Sequence, residues 1–143
     1  MNIMYNCENP KNQYILTFGY GNRQDYETFI EYLDQFEVSY VIDVRFTPRA
    51  WSRKWYGNQI EKLCISKGIN YISKIYLGNT SGNANWIPPD QKEANKSLAE
   101  VAEITNKGTV LLLCAEKDWH QCHRVEVANE LEKLVRVPVK HLV

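Results

Sequence analysis

The stretch Cys114-Ala-Glu-Lys-Asp-Trp-His-Gln-Cys-His-Arg124 gathers thiols, imidazoles, carboxylates and a guanidinium. It follows the apolar run Val110–Leu113 and leads into a helical pattern whose first turn would carry Cys122, His123 and Arg124. Three readings compete. A thiolate beside a helix N-terminus and cationic groups has a lowered pKa and acts as a nucleophile, which makes Cys114 the reactive candidate with Glu116 beside it. Cys114, His120, Cys122 and His123 are also soft or borderline metal ligands, but their spacing matches no standard zinc pattern. Adjacent Cys122 and His123 do not easily both turn inward from a helix, so no metal is expected. The plain alternative is a cysteine ending a buried strand and another packing beneath a helix, since free Cys is among the most buried residue types. A Cys-x5-Arg phosphatase loop is excluded, because His120 stands where its Arg would be.

A second stretch, Asp43-Val-Arg-Phe-Thr-Pro-Arg-Ala-Trp-Ser-Arg-Lys-Trp55, carries Arg45, Arg49, Arg53 and Lys54, with no further acid before Glu61. Guanidinium forks take phosphate or carboxylate two-pronged, and Trp51 and Trp55 offer rings for stacking a base. Against this stands a solvated basic loop with its aromatics on the core. Asp43 reads as an acceptor that orients Arg45 or Arg124, or as a general base. Gly19-Tyr-Gly-Asn-Arg23 adds two glycines that let backbone N–H groups approach a ligand, with Asn22 as a cap and Arg23 in the following first turn. It lacks the Gly-x-Gly-x-x-Gly fingerprint of dinucleotide binding.

The elements that must position these residues alternate along the chain. Strands are expected over Tyr14–Phe18, Tyr40–Val44, Asn70–Tyr76, Thr109–Leu113 and Val137–Leu142. Helices are expected over Gln24–Phe36, from an Asn58 cap with Glu61 as its capping-box partner to Gly68, over Gln91–Asn106 and over Cys122–Val135. The last would bury Val127, Ala128, Leu131, Leu134 and Val135. The polar run Gly78–Pro89 is a lid or an ordinary loop. The pattern predicts an α/β, Rossmann-like single domain with three layers: a mostly parallel five-stranded sheet with helices on both faces. Ligands bind such sheets outside the carboxyl ends of the strands, where the chemistry-bearing stretches fall.

Bulk properties narrow the function. The chain has 143 residues, enough for one domain, here 14–143 after a polar N-terminal extension 1–13. Lys plus Arg is 17 and Asp plus Glu is 17, so the formal net charge is +0, which argues against coating nucleic acid by bulk charge. No apolar run approaches the roughly 20 residues of a membrane span. Four cysteines without a secretory signal point to reduced thiols in the cytoplasm, with Cys64 a buried packing thiol and Cys7 in the polar tail.

The segments Leu16–Arg23, Asp43–Arg49, Leu77–Gly78 and Leu113 to Arg124 together resemble the bacterial and archaeal family catalogued as domain of unknown function 488, in the same order from about Tyr14 to Val143. That resemblance implies a three-layer α/β domain with its motifs at one end of the sheet, and no settled reaction. The family's usual Gly-His-Ser-Asn-Arg is altered here, with Tyr20 and Gly21 in place of His and Ser, and Ala50 replaces the Ser of a Pro-Arg-Ser pattern.

The expected function is an anion-binding cleft at the strand ends, acting on a phosphorylated or nucleotide-like ligand. Arg23, Arg45, Arg49, Cys122, His123 and Arg124 would hold the anion, and Cys114, Glu116 and Asp43 would supply the chemistry, with no cofactor specified. The alternative is a nucleic-acid module using Arg49, Trp51, Arg53, Lys54 and Trp55. One cleft is expected to unite Asp43, Arg45, Cys114, Glu116 and Arg124.

Overall fold

Strand and helix alternate through the chain: β1 (Ile15–Gly19), α1 (Glu27–Gln35), β2 (Tyr40–Asp43), α2 (Gly57–Ser66), β3 (Asn70–Ser73), α3 (Gln91–Thr105), β4 (Val110–Cys114), α4 (Arg124–Leu134) and β5 (Val139–His141). The structure is a computed structural model that describes residues 13–50, 52–116, 120 and 122–143. The extension 1–12 with Cys7, together with Trp51, Lys117, Asp118, Trp119 and Gln121, lies outside the described residues.

The strands form one parallel sheet in the order β3-β2-β4-β1-β5. β4 is the middle strand and is buried along its whole length, as its unbroken apolar run requires. α1 and α2 cover one face with Phe29, Leu33, Ile60 and Cys64 against Leu16, Phe18, Leu111 and Leu113. α3 and α4 cover the other with Leu98, Val101, Val127, Ala128 and Leu131 against Ile15, Ile42, Val110 and Leu112. This is the expected three-layer α/β domain. Among the described residues no helix is long and apolar enough to cross a membrane.

Several element ends differ from the sequence reading, each for a local reason. α1 begins at Glu27, whose N–H donates to Asp25 Oδ1 at 3.0 Å, so Asn22 does not cap it and Arg23 lies in the preceding loop. α2 begins at Gly57 without a side-chain cap, so the Asn58–Glu61 capping box does not form. There Gly57 N–H donates to Pro48 O at 2.9 Å, and a Cβ would stand 2.7 Å from the Tyr71 hydroxyl. Gly68 does end α2, at φ +71°, with Ile69 N–H returning to Cys64 O at 2.8 Å. β3 stops at Ser73 and the chain tightens into a 3-10 turn, Ile75–Leu77. α4 starts at Arg124, after Cys122 and His123, and Leu134 near its end is 56% exposed rather than core. α3 has a true cap: Asp90 accepts from Glu93 N–H at 3.0 Å.

Candidate functional site

Side chains alternate across a strand, and the register of β2 against β4 decides which residues meet. Asp43 pairs with Leu113, so both point to the α1/α2 face, and Cys114, one residue on, points to the α3/α4 face. The two chemistry-bearing stretches are therefore divided by the sheet.

On the α1/α2 face, Asp43 is fully buried and ion-paired with Arg45. Arg45 Nε donates to Asp43 Oδ1 at 2.8 Å and Nη2 to Oδ2 at 2.7 Å, the two-pronged geometry of a strong guanidinium–carboxylate pair. The Tyr71 hydroxyl donates to Oδ2 at 2.5 Å and Arg45 N–H to Oδ1 at 3.2 Å, so the carboxylate is filled. Arg45 spends its remaining side on Trp55 O, with Nη1 at 2.7 Å. Burial works against the Arg45 charge, but Asp43 more than offsets it and raises the pKa. Burial and the neighbouring Asp43 charge also raise the Tyr71 pKa. Of the readings of Asp43, the acceptor that orients Arg45 is the one this geometry matches, and the pair holds the loop after β2.

On the α3/α4 face, Cys114, Cys122 and His123 converge, all buried, with their donor atoms within 4.8 Å of one another. His123 Nδ1 lies 3.8 Å from Cys114 Sγ and 3.9 Å from Cys122 Sγ. Nε2 lies 3.0 Å from both Val44 O and Leu77 O. Both oxygens are acceptors, so Nε2 carries a proton, and Nδ1 is the ring nitrogen that faces the thiols. The expectation that only one of Cys122 and His123 faces Cys114 is overturned. The two residues precede α4, so the rotation of a helix does not separate them. The Cys114 thiol donates toward Cys122, which lowers the Cys122 pKa and, together with burial, raises that of Cys114. Arg124, also fully buried, donates from Nη1 to Glu116 O at 2.5 Å and packs beside Gly19. It braces the loop after β4 rather than facing solvent. Cys114 and Arg124 thus lie on the sheet face opposite Asp43 and Arg45, and the expected single cleft uniting them is corrected accordingly.

An open cavity of about 1380 Å³ sits at the carboxyl ends of the strands, bounded by the loops after β1, β2 and β4. The helix following β4 covers one face of the sheet and those following β1 and β2 cover the other. Such a divergence is where crevices form in open α/β sheets. Arg23, Arg49 and Lys54 line this cavity with Gly21, and Glu116 lines it as an acid. Arg49 is exposed. The Arg23 guanidinium lies over the Phe18 ring at 5.0 Å, with its Nε buried and lacking a hydrogen-bond partner among the described residues. Lys54 Nζ donates to Gln24 O. Of the expected site residues, Arg23, Arg49 and Glu116 share this cleft; Asp43, Arg45, Cys114, Cys122, His123 and Arg124 do not line it.

Trp55 was expected to stack a base in the nucleic-acid alternative. It lines the cleft floor but is only 1% exposed and donates its indole N–H to Arg23 O at 2.9 Å, so little of its ring is open to a base. Trp51 lies outside the described residues. The polar loop 78–89 closes on itself and on α4, with Trp86 N–H donating to Glu126 Oε2 at 2.8 Å, and none of its residues lines the cleft. Tyr71 was missed by the sequence reading; its signal, an aromatic hydroxyl one strand away from Asp43, becomes visible only with the β2–β3 register.

No curated protein and no solved structure matches the chain. A family model, described as Domain of unknown function DUF488, matches residues 25–131. The match takes in Asp43–Arg49, Leu77–Gly78 and Cys114–Arg124 and begins just after Gly19–Arg23. Motifs and family model agree over well over half of the sequence, and the chain belongs to the DUF488 family.

Proposed function

We propose that the protein is an enzyme acting on a phosphorylated or nucleotide-like ligand bound in the cleft between the loops after β1, β2 and β4. The observation that carries this reading is the convergence of Arg23, Arg49 and Lys54 on one cavity, with Glu116 the one lining acid among the described residues, in a chain of formal net charge +0. The cations are gathered locally, not inherited from bulk basicity. Arg49 presents the planar fork that fits phosphate, and Gly21, at φ +56°, lets backbone approach the anion. Glu116, in the loop after β4, is the acid–base candidate. Cys114 faces away across the sheet and takes no part in this reading.

The test is calorimetric titration with pyrophosphate and with ADP at low and physiological salt. Arg49→Ala is expected to weaken binding at least about tenfold with little loss of stability. Absence of wild-type binding, or equal binding by Arg49→Ala, overturns the reading. A steep fall of affinity with salt for single-stranded nucleic acid would favour a nucleic-acid module instead. That alternative is weakened by the burial of Trp55.

A further inference from the structure

We propose that Cys114, Cys122 and His123 form a binding site for zinc or a similarly soft divalent cation. The case rests on geometry. With Zn–S near 2.3 Å and Zn–N near 2.0 Å, tetrahedral ligation places S and N about 3.5 Å apart. His123 Nδ1 stands 3.8 and 3.9 Å from the two sulfurs, so small side-chain adjustments complete one face of a tetrahedron. The imidazole is already turned for ligation, with Nδ1 toward the sulfurs. Its Nε2–H is held by Val44 O and Leu77 O, as metal-bound histidines are commonly held by carbonyls through the nitrogen that does not bind.

The competing uses of the cluster explain less. A nucleophilic thiol must reach a substrate, yet Cys114 and Cys122 are 6% and 4% exposed and do not line the cleft. A Cys114–Cys122 disulfide would leave the oriented Nδ1 facing sulfur with nothing to bind. A cation engages all three donors. Any proton still on either sulfur leaves to solvent as two metal–sulfur bonds and one metal–nitrogen bond form, and the two thiolates balance a divalent charge. Three protein donors leave a fourth position for water or an outside ligand. The cation would fasten the end of β4 to the residues before α4, with His123 tying in the chain after β2 and at the end of the Ile75–Leu77 turn.

The inference does not depend on what the cleft binds, and its test reads metal alone. The full chain is purified under reducing conditions without chelator, analysed for metal, stripped, and titrated with Co²⁺. The expected results are about one zinc per chain and, with Co²⁺, a thiolate-to-cobalt charge-transfer band with visible bands of tetrahedral intensity. Cys114→Ser and His123→Ala should each lose the bound metal and alter the cobalt spectrum, whereas Cys64→Ser, in the opposite core, should keep both. Should a site variant fail to fold, the wild-type titration still decides. Folded metal-free protein that gives no charge-transfer band overturns the proposal, as does loss of metal in Cys64→Ser with retention in Cys114→Ser. A Cys114–Cys122 disulfide in protein that takes up no cobalt after reduction overturns it in favour of a redox pair.

Discussion

The rings of Tyr20 and Trp55 stack 4.9 Å apart with their planes at 10°, joining the loop after β1 to the loop after β2 beneath the cleft. Tyr26 and Phe29 close on the same indole edge-on, at 5.1 and 5.6 Å, and the Arg45 guanidinium lies over the Tyr20 ring at 5.5 Å. The cleft floor is thus an aromatic cluster anchored by a buried ion pair. Trp55→Ala is expected to cost about 3–5 kcal/mol, the usual loss for a buried large aromatic. Trp55→Phe, which keeps a ring but loses the bond to Arg23 O, should cost clearly less. Urea unfolding measures both, and an unchanged midpoint for Trp55→Ala would contradict the packing described.

Asp43→Asn should be as damaging. It leaves the Arg45 guanidinium buried without its countercharge, a change that typically costs about 3–5 kcal/mol. A melt within a degree or two of wild type would show that solvent reaches the pair.

The same cluster predicts an alkaline limb. Burial and the Asp43 charge raise the Tyr71 pKa above its usual value, so at high pH the unfolded chain releases a proton that the folded protein keeps. The contribution is complete below about pH 10 and is lost as pH rises toward the folded-state pKa, at up to roughly 1.4 kcal/mol per pH unit. Tyr71→Phe should reduce the slope of stability against pH above 10 while costing about 1.5–3 kcal/mol at neutral pH from the lost bond to a charged group. Equal slopes in wild type and Tyr71→Phe, from guanidinium unfolding at pH 9 and 11, would refute this.

Much of this arrangement is legible in the sequence. The unbroken apolar run of β4, the punctuation by Gly68 and Gly108, and the placing of Arg49 and Glu116 in loops after strands all follow from residue type and position. What escapes is set by register. Whether Asp43 lies opposite Leu113 or opposite Cys114 is a shift of one residue, and it moves a side chain through the sheet. No local signal reports that the Trp55 carbonyl and Tyr71 hydroxyl complete the surroundings of Asp43 and Arg45, since each arrives from a different element. The start of α4 is equally silent, because His123 precedes the helix without a capping side chain.

Cys64 should be inert. Its thiol is fully buried under α2, and burial together with Glu61 pushes its pKa up to about 12. At pH 8 an alkylating reagent should label it only as fast as the protein opens, and the rate should rise with urea in step with unfolding. Rapid labelling in native buffer would show that the α1/α2 core is open.

Arg124→Ala should lower the melting temperature, through loss of a buried charged donor to Glu116 O worth about 1.5–3 kcal/mol. Arg124→Lys should recover part of it, because one ammonium can reach a carbonyl but cannot reproduce the fork. A near-native melt for Arg124→Ala, with phosphate binding abolished, would instead return this residue to the ligand.

The strand order has a consequence for how the chain is made. Among the described residues β1 pairs with β4 and β5, so it is synthesised long before either of the strands that flank it. Tyr14 and Thr109, joined by a hydrogen bond in the finished protein, are 95 residues apart. At ribosomal rates that interval lasts on the order of 5–20 s, during which the apolar segment Ile15–Gly19 has an unfilled edge on either side. β2 and β3 meet much sooner and give the nascent chain an early hairpin-free parallel pair, but one whose inner edge stays open until β4 inserts. Until β4 emerges, a nascent copy therefore carries unpaired strand edges of the kind that template pairing with another chain.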